Sequence, residues 1–441
     1  SNMEYFNIMK QLAGLICILL LLMTQTYAAS SDTRANPWFE IRKQRISDLL
    51  PKAMSEADVE AWLTICRENN NDPLADHVGG ENAGSPAAYL FYFDKQGFHS
   101  RVYSPIGEAT ALAEMGIHSE VIPVERGQSA VKQAAEFIAS KNFKNVAVNS
   151  SDSNAQADGL SYAQRKNLEA HLGENLANKL ISSEQVIYNW LSIKVPAEVE
   201  IMRKAAKMTA KWEIEAYQQV LPGVTTDADL ARFLKQKMKD HGVTDGWSPD
   251  QNPNVNSGPD RGHSHATNKI IMPGDVIQID FGIKLHDRWV SDIQRFAYVL
   301  KDAEKKAPKD IQHYWDSAVN GRLAAFTAMK PGVRGVDVDA AQRVSMKQAG
   351  SEYVMWSTGH PVGYVAHDTG PNLGGSQSAE VRPASKRKLK AGMVFAFDGF
   401  HSWKLSDGSI KTISVEEMVV INDDGAEYLV PPQQDIFLIG K

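Results

Sequence analysis

The sequence predicts two successive domains, an α/β domain followed by an α+β domain. Three observations lead there. The chain has 441 residues, more than one ordinary core needs. Residues from about 36 to 190 alternate between strand-like and helix-like patterns. From Trp190 onward, long helix patterns give way to paired strands, several of which carry acids inside apolar runs.

In the first domain, Ser55 to Asn69 has helical spacing with Ser55 as its cap. Tyr89 to Phe93 and Val146 to Val148 read as strands, with a helix from Ala130 to Ser140 between them. No Gly-rich phosphate loop occurs, so nucleotide chemistry has no support. In the second domain, Pro196 opens a long helix, Ala197 to Leu221, in the first turn where proline is tolerated. A helix from Asp227 to His241 follows, then a Pro/Asn/Gly/Ser-rich loop from Trp247 to His265. Strand pairs come next, then a helix around Asp337 to Gly350 and a strand-rich end.

Composition bounds the partners. Hydrophobic residues make up 43% and charged residues 23%, with net charge −6 and no long basic run, so nucleic acid is excluded as a partner. The start reads as a tag scar and signal peptide over residues 1–29: Lys10, the apolar stretch Leu12 to Met23, then Ala28-Ala29. A membrane anchor is the alternative, but the apolar stretch falls short of the ~20 residues that span a bilayer. A secreted or periplasmic protein is therefore expected, with no stable membrane anchor after cleavage. Only Cys66 would then remain, which rules out an internal disulfide and leaves a small residue for packing.

The chemistry lies in the last third. Asp280 interrupts the run from Val276 to Ile283. Asp292 follows it by twelve residues, across a turn at Lys284 to Arg288. Asp398 closes the run from Met393 to Phe397, and Glu416 lies in the alternation from Ile413 to Val420, with Glu417 on the opposite, solvated face. A carboxylate in a buried strand costs several kcal/mol, about 3–5 for a lone charge, unless a counter-charge compensates it. His360 and His367 stand seven apart, and a bend at Gly363 would let both reach one cavity. Each residue has a structural alternative: Asp292 capping a turn, Asp280 paired to a lysine, the histidines packed or on the surface, Asp398 opening an Asp-Gly turn. Together they suit a divalent cation, since carboxylate plus imidazole fits Mn, Zn, Co or Fe. His263 and His265, in a loop ahead of this set, are candidates to steady an oxyanion.

The order Asp280, Asp292, His360, Asp398, Glu416 resembles the pita-bread metallopeptidases, in particular the Xaa-Pro aminopeptidase and prolidase branch. Pro273-Gly274-Asp275 leading to Asp280-Phe281-Gly282, Gly359-His360 with Gly363 and His367-Asp368, and Ala391 to Phe395 carry the likeness. Pro196 to Glu200 resembles the start of the catalytic domain. The resemblance implies a pita-bread (creatinase/aminopeptidase) catalytic domain over 190–441, preceded by an α/β creatinase-like N-terminal domain over 30–189. It implies two divalent ions on Asp280, Asp292, His360, Asp398 and Glu416, with Asp292 and Glu416 bridging. It gives His263, seventeen residues before Asp280, and His367 to substrate and intermediate. Asp398 becomes a proton acceptor, so that metal-activated hydroxide hydrolyses short peptides. A homodimer is implied as well.

Four positions depart from the family pattern. Asp398 replaces a Glu, and Trp356 stands where proline-specific members have His. Ser414 replaces an Arg, and the hairpin between Asp280 and Asp292 carries one residue more than the family's usual spacing. These departures motivate an alternative: a degenerate pita-bread protein that binds peptides, or a metal-free amidinohydrolase similar to creatinase.

Overall fold

A computed structural model describes residues 36–80, 84–263 and 265–440. The signal-peptide segment lies outside the described residues. Contacts divide the chain into a short unit that ends at Lys43 and a large one from Gln44 to Lys441, which holds every described sheet. Among the described residues, no helix is long and apolar enough to cross a membrane.

The first half builds a six-stranded mixed sheet in the order β4-β3-β2-β1-β5-β6. Its strands are β1 (Ala61–Cys66), β2 (Ala87–Asp94), β3 (Gly97–Pro105), β4 (Glu120–Val124), β5 (Val146–Val148) and β6 (Leu180–Ser182). Helix Ala130–Lys141 packs Ala134, Ala135 and Ile138 into the same core as Leu63, Leu90 and Val148. The strands expected at Tyr89 and Val146, and the helix after Ala130, form as anticipated.

The helix expected from Ser55 to Asn69 does not. A helix over Leu50–Glu56 ends, Asp58 turns through a positive φ of 55°, and the chain enters β1. All six residues of β1 are buried, so the run is apolar on both faces and periodicity alone cannot separate strand from helix. Trp62, Thr64 and Ile65 tip the balance, since aromatic and β-branched side chains fit a pleated sheet. Cys66, at the end of β1, is buried, as expected of a small packing residue.

The second half opens with helix Pro196–Gln218, stopping three residues before the expected Leu221, and helix Asp227–His241, capped by Thr226. Short strands β7 (Thr244–Asp245), β10 (Ile283–Leu285) and β11 (Trp289–Val290) form a three-stranded sheet. A second sheet takes β8 (Asn254–Ser257), β9 (Val276–Phe281), β12 (Ile293–Val299) and β17 (Phe437–Ile439) in the order β17-β12-β9-β8. The third holds β13 (Gly359–Pro361), β14 (Val394–Lys404), β15 (Ile410–Asn422) and β16 (Gly425–Tyr428) in sequence order. β8 lies in the stretch expected to be all loop; its Asn and Ser content hides a strand whose polar residues are buried against β9. The helix expected near Asp337 runs over Gly335–Gln348.

Helix Lys309–Ala328 was not anticipated. It packs on β14, where Gly399 is required: a Cβ there would overlap the Ala318 carbonyl oxygen. Phe395, Phe397 and Val419 of the third sheet join Ala325 and Val338 of the two helices in one core.

Candidate metal centre

Two sheets present acids to a common space. Asp280 sits on β9 opposite Gln294 of β12 and Asn254 of β8. Asp292 immediately precedes β12. The hairpin of β10 and β11, with positive φ at His286 and Asp287, lies between the two acids, so they are not opposite each other in the ladder; Phe281 faces Ile293. Ser291 anchors this approach, its hydroxyl bonding Thr209 at 2.6 Å and accepting the Ile283 amide at 3.0 Å. On the other sheet, Asp398 of β14 lies directly opposite Glu416 of β15, and His360 of β13 lies opposite Ala396. Asp398 is therefore a mid-strand residue, not the start of an Asp-Gly turn.

The donor atoms of Asp292, His360 and Glu416 all fall within 4.8 Å of one another. His360 Nδ1 lies 3.0 Å from the Pro361 carbonyl oxygen, which can only accept, so Nδ1 carries a proton. Nε2 then faces Asp292 Oδ2 at 3.3 Å. Two lone pairs at that separation repel unless a proton or a cation lies between them. Burial lowers the pKa of His360, but Asp292 outweighs it and the net direction is upward.

The remaining acids tell the same story. Asp280 Oδ1, Asp398 Oδ1 and Glu416 Oε1 are buried without a hydrogen-bond partner. Burial first, and then neighbouring acids, push Asp398 up to about 8 and Glu416 well above the usual carboxylate range. Burial also raises Asp280 to about 6, although His263 pulls against it. Among the described ion pairs, none of these acids meets a lysine or an arginine; Asp280 is paired with His263 and Asp292 with His360. An orphaned buried carboxylate cluster of this kind fits a divalent cation, whose charge would settle its acids in the ionised form.

The other candidates fall into place around it. His263 Nδ1 stands 3.8 Å from Asp280 Oδ2, and that carboxylate raises its pKa. His265 is exposed and turned to the Ala266 carbonyl at 2.9 Å, so of the two loop histidines only His263 reaches the acids. The rings of His360 and His367 meet edge to face with centroids 4.2 Å apart, as the bend near Gly363 allows. Burial, and then the charge of His360, lower the pKa of His367.

A model of metallopeptidase family M24 matches residues 200–423, just over half of the chain. The chain belongs to metallopeptidase family M24. It is 27% identical to a Xaa-Pro dipeptidase of Pyrococcus furiosus over 63% of this chain and 73% of that protein. A probable dipeptidase PepE of Mycobacterium tuberculosis is 25% identical over 53% of this chain and 57% of its own length. Among solved structures, an X-Pro aminopeptidase from Thermotoga maritima superposes with a TM-score of 0.66 at 19% identity, over 88% of this chain and all of that one. A Xaa-Pro dipeptidase from Bacillus anthracis gives 0.67 at 18%, over 90% of this chain and all of that one. These likenesses establish the two-domain pita-bread fold.

Within this M24 chain, several supporting residues escaped the sequence reading. Glu417 is buried rather than solvated: it accepts from Arg295 at 2.8 Å, and Arg322 stands 3.7 Å away. Ser414, where an arginine was expected, donates to Gln294 Oε1 at 2.7 Å and accepts from Gln278 at 3.1 Å. Gln294 in turn reaches Asp280 Oδ2 at 3.4 Å. An amide network thus occupies the expected arginine's place. The loop after His360 is held from below: Tyr364 donates to Glu198 at 2.5 Å, and Glu198 accepts from the buried Arg45 at 2.7 Å. Asp368 accepts the Tyr364 amide at 2.7 Å and, at 3.3 Å, Gln156 from the first half of the chain. The signal was only the Pro196-to-Glu200 motif, which names Glu198 without its partners.

Proposed function

We propose that this protein hydrolyses peptide bonds of short peptides as a metal-dependent dipeptidase or Xaa-Pro aminopeptidase. One observation carries the reading: His360 Nε2 stands 3.3 Å from Asp292 Oδ2 beside orphaned buried acids that no described lysine or arginine meets. Asp280, Asp292, His360, Asp398 and Glu416 would hold divalent ions, two of them, of the Mn, Zn, Co or Fe type. Such ions, when bound, acidify a water toward neutral pH and polarise the scissile carbonyl.

The chain's own groups do the rest. Asp398 accepts the proton of the attacking water and returns it to the leaving amine. His367, kept neutral by burial and by His360, donates an N–H to the carbonyl oxygen as charge develops there. His263, steadied by Asp280, holds the substrate on the open side.

The boundaries that go with this reading are a leader over 1–29, a creatinase-like domain over 30–189 and a catalytic domain over 190–441. Export to the periplasm or medium and a homodimer belong to the same proposal. The test is metal content of the purified protein together with hydrolysis of proline-containing di- and tripeptides with added Mn, Co or Zn. Two ions per chain and turnover abolished by chelation are expected. Turnover indifferent to chelator would overturn the mechanism. Metal-free protein without turnover in metal-replete buffer would leave the degenerate pita-bread reading, for which Asp398 and Ser414 speak.

A further inference from the structure

The segment that ends at Trp356 carries large apolar side chains that packing does not bury. Tyr353 and Met355 are each 69% exposed and Trp356 is 44% exposed, three residues within four positions. A lone exposed aromatic needs no explanation, but this segment is also firmly held. The Arg343 guanidinium donates to the Val354 carbonyl at 2.8 Å and to the Trp356 carbonyl, and its Nε donates to Asp339 at 3.1 Å. Asp339 also accepts from Thr358 at 2.6 Å. The Thr358 carbonyl then accepts the backbone N–H of Asp398 at 2.7 Å. Trp356 is thus tied, through two residues of backbone, to the strand that carries Asp398. Arg343 lies over the Phe400 ring on that strand as well, at 5.3 Å.

The indole reaches the acids by a second route. Its ring meets His263 edge to face, centroids 4.6 Å apart, and His263 stands 3.8 Å from Asp280. The exposed tryptophan is therefore one ring away from the acid cluster and preorganised there. Ordering a large side chain before the ligand arrives is how a site gains affinity for an apolar group.

We propose that Trp356 is a specificity-determining residue: its indole, braced by His263, forms the wall that receives a large apolar side chain flanking the scissile bond. The inference rests on the peptidase reading above and names its substrate class: short peptides with a bulky aliphatic or aromatic residue next to the cleaved bond, proline being one acceptable ring among several. Neither Tyr353 nor Met355 is required.

The test compares kcat/KM for Phe-Gly, Leu-Gly, Gly-Phe, Gly-Leu, Gly-Pro and Gly-Gly, with Mn, in the wild type, Trp356→Ala and Trp356→Phe. At one of the two positions the wild type prefers the bulky side chain over glycine. Trp356→Ala lowers that preference roughly tenfold, the scale of lost apolar contact in a pocket. Trp356→Phe retains most of it. Calorimetric titration of the same dipeptides into the same three proteins reports binding whether or not hydrolysis occurs. An equal preference in wild type and Trp356→Ala, with hydrolysis intact, overturns the inference and leaves the peptidase reading standing. Trp356-dependent binding without hydrolysis overturns the peptidase reading and keeps only the contact between Trp356 and the bulky side chain. No binding and no hydrolysis sinks both.

Discussion

Replacing Asp398 by asparagine removes one titrating acid from the centre at nearly constant size, and the consequence for stability can be worked out. In the metal-free protein, burial and the neighbouring acids raise the Asp398 pKa to about 8 from an unfolded value of 3.8. Below 3.8 both states hold the proton and pH costs nothing. Between 3.8 and about 8 the folded state keeps a proton that the unfolded state releases, so stability falls as pH rises. At pH 7 that is about three pH units at about 1.4 kcal/mol each, or about 4 kcal/mol. This is an upper bound, because Asp398, Glu416 and Asp280 share their protons. In excess chelator, the advantage of Asp398→Asn over wild type should therefore be largest at pH 7.5 and shrink to about 1.7 kcal/mol at most at pH 5. Saturating Mn should narrow that gap: about 2.7 kcal/mol accrues to the wild type at a hundred times its Kd, and less to the variant, which lacks the anionic carboxylate. Urea unfolding at both pH values, with chelator and with Mn, measures all four differences. A chelated wild type whose stability holds level from pH 5 to 7.5 would show that something other than a cation already compensates these acids.

Two further outcomes concern buried charges outside the proposed ligand set. Arg45→Met leaves Glu198 buried without its guanidinium, so unfolding free energy should fall by about 3–5 kcal/mol in a denaturant titration; a loss under 1 kcal/mol would mean that Lys194 and Tyr364 suffice to hold it. Glu213, in the helix behind β12, is buried with neither carboxylate oxygen hydrogen-bonded, and burial raises its pKa well above the ordinary carboxylate value. Its folded form keeps a proton that the unfolded chain releases, so it should destabilise the protein increasingly above pH 4.5. Glu213→Gln should flatten that slope and add about 1–2 kcal/mol at pH 8 in guanidinium unfolding, whereas an unchanged slope would mean that Glu213 is ionised in the fold.

The fold was legible where patterns were local and one-sided. Helix Asp227–His241 forms over the span its sequence suggested, and Tyr89 to Phe93 announces itself through its aromatic run. Legibility failed where burial was two-sided or polar. β1 is buried on both faces, which erases the alternation that marks a strand, and Ser55 offered a false cap. β8 is a strand because β9 needs an edge partner beside Asp280, a tertiary requirement that Asn254, Asn256 and Ser257 do not signal. Helix Lys309–Ala328 exists to cover β14, where Gly399 lets it approach, and a lone glycine in a strand carries no such message.

The site obeyed a different logic. Its acids were visible because each violates an apolar pattern, and the violation is read on one strand at a time. Their partners were invisible because partnership is decided across strands. Glu416 and Glu417 are adjacent and chemically alike, yet Glu417 points to Arg295 and Arg322 while Glu416 points to Asp398 and Asp292. Sequence alternation separates the two faces but does not say that both are buried; that follows only once the helix Lys309–Ala328 and β12 close over the outer face. Arginine offsets the cost on one face; on the other, no described lysine or arginine pairs with the acids. That asymmetry is the physical argument for a metal: within one sheet the fold supplies guanidinium wherever an acid is purely structural, and withholds it from the acids that converge with His360.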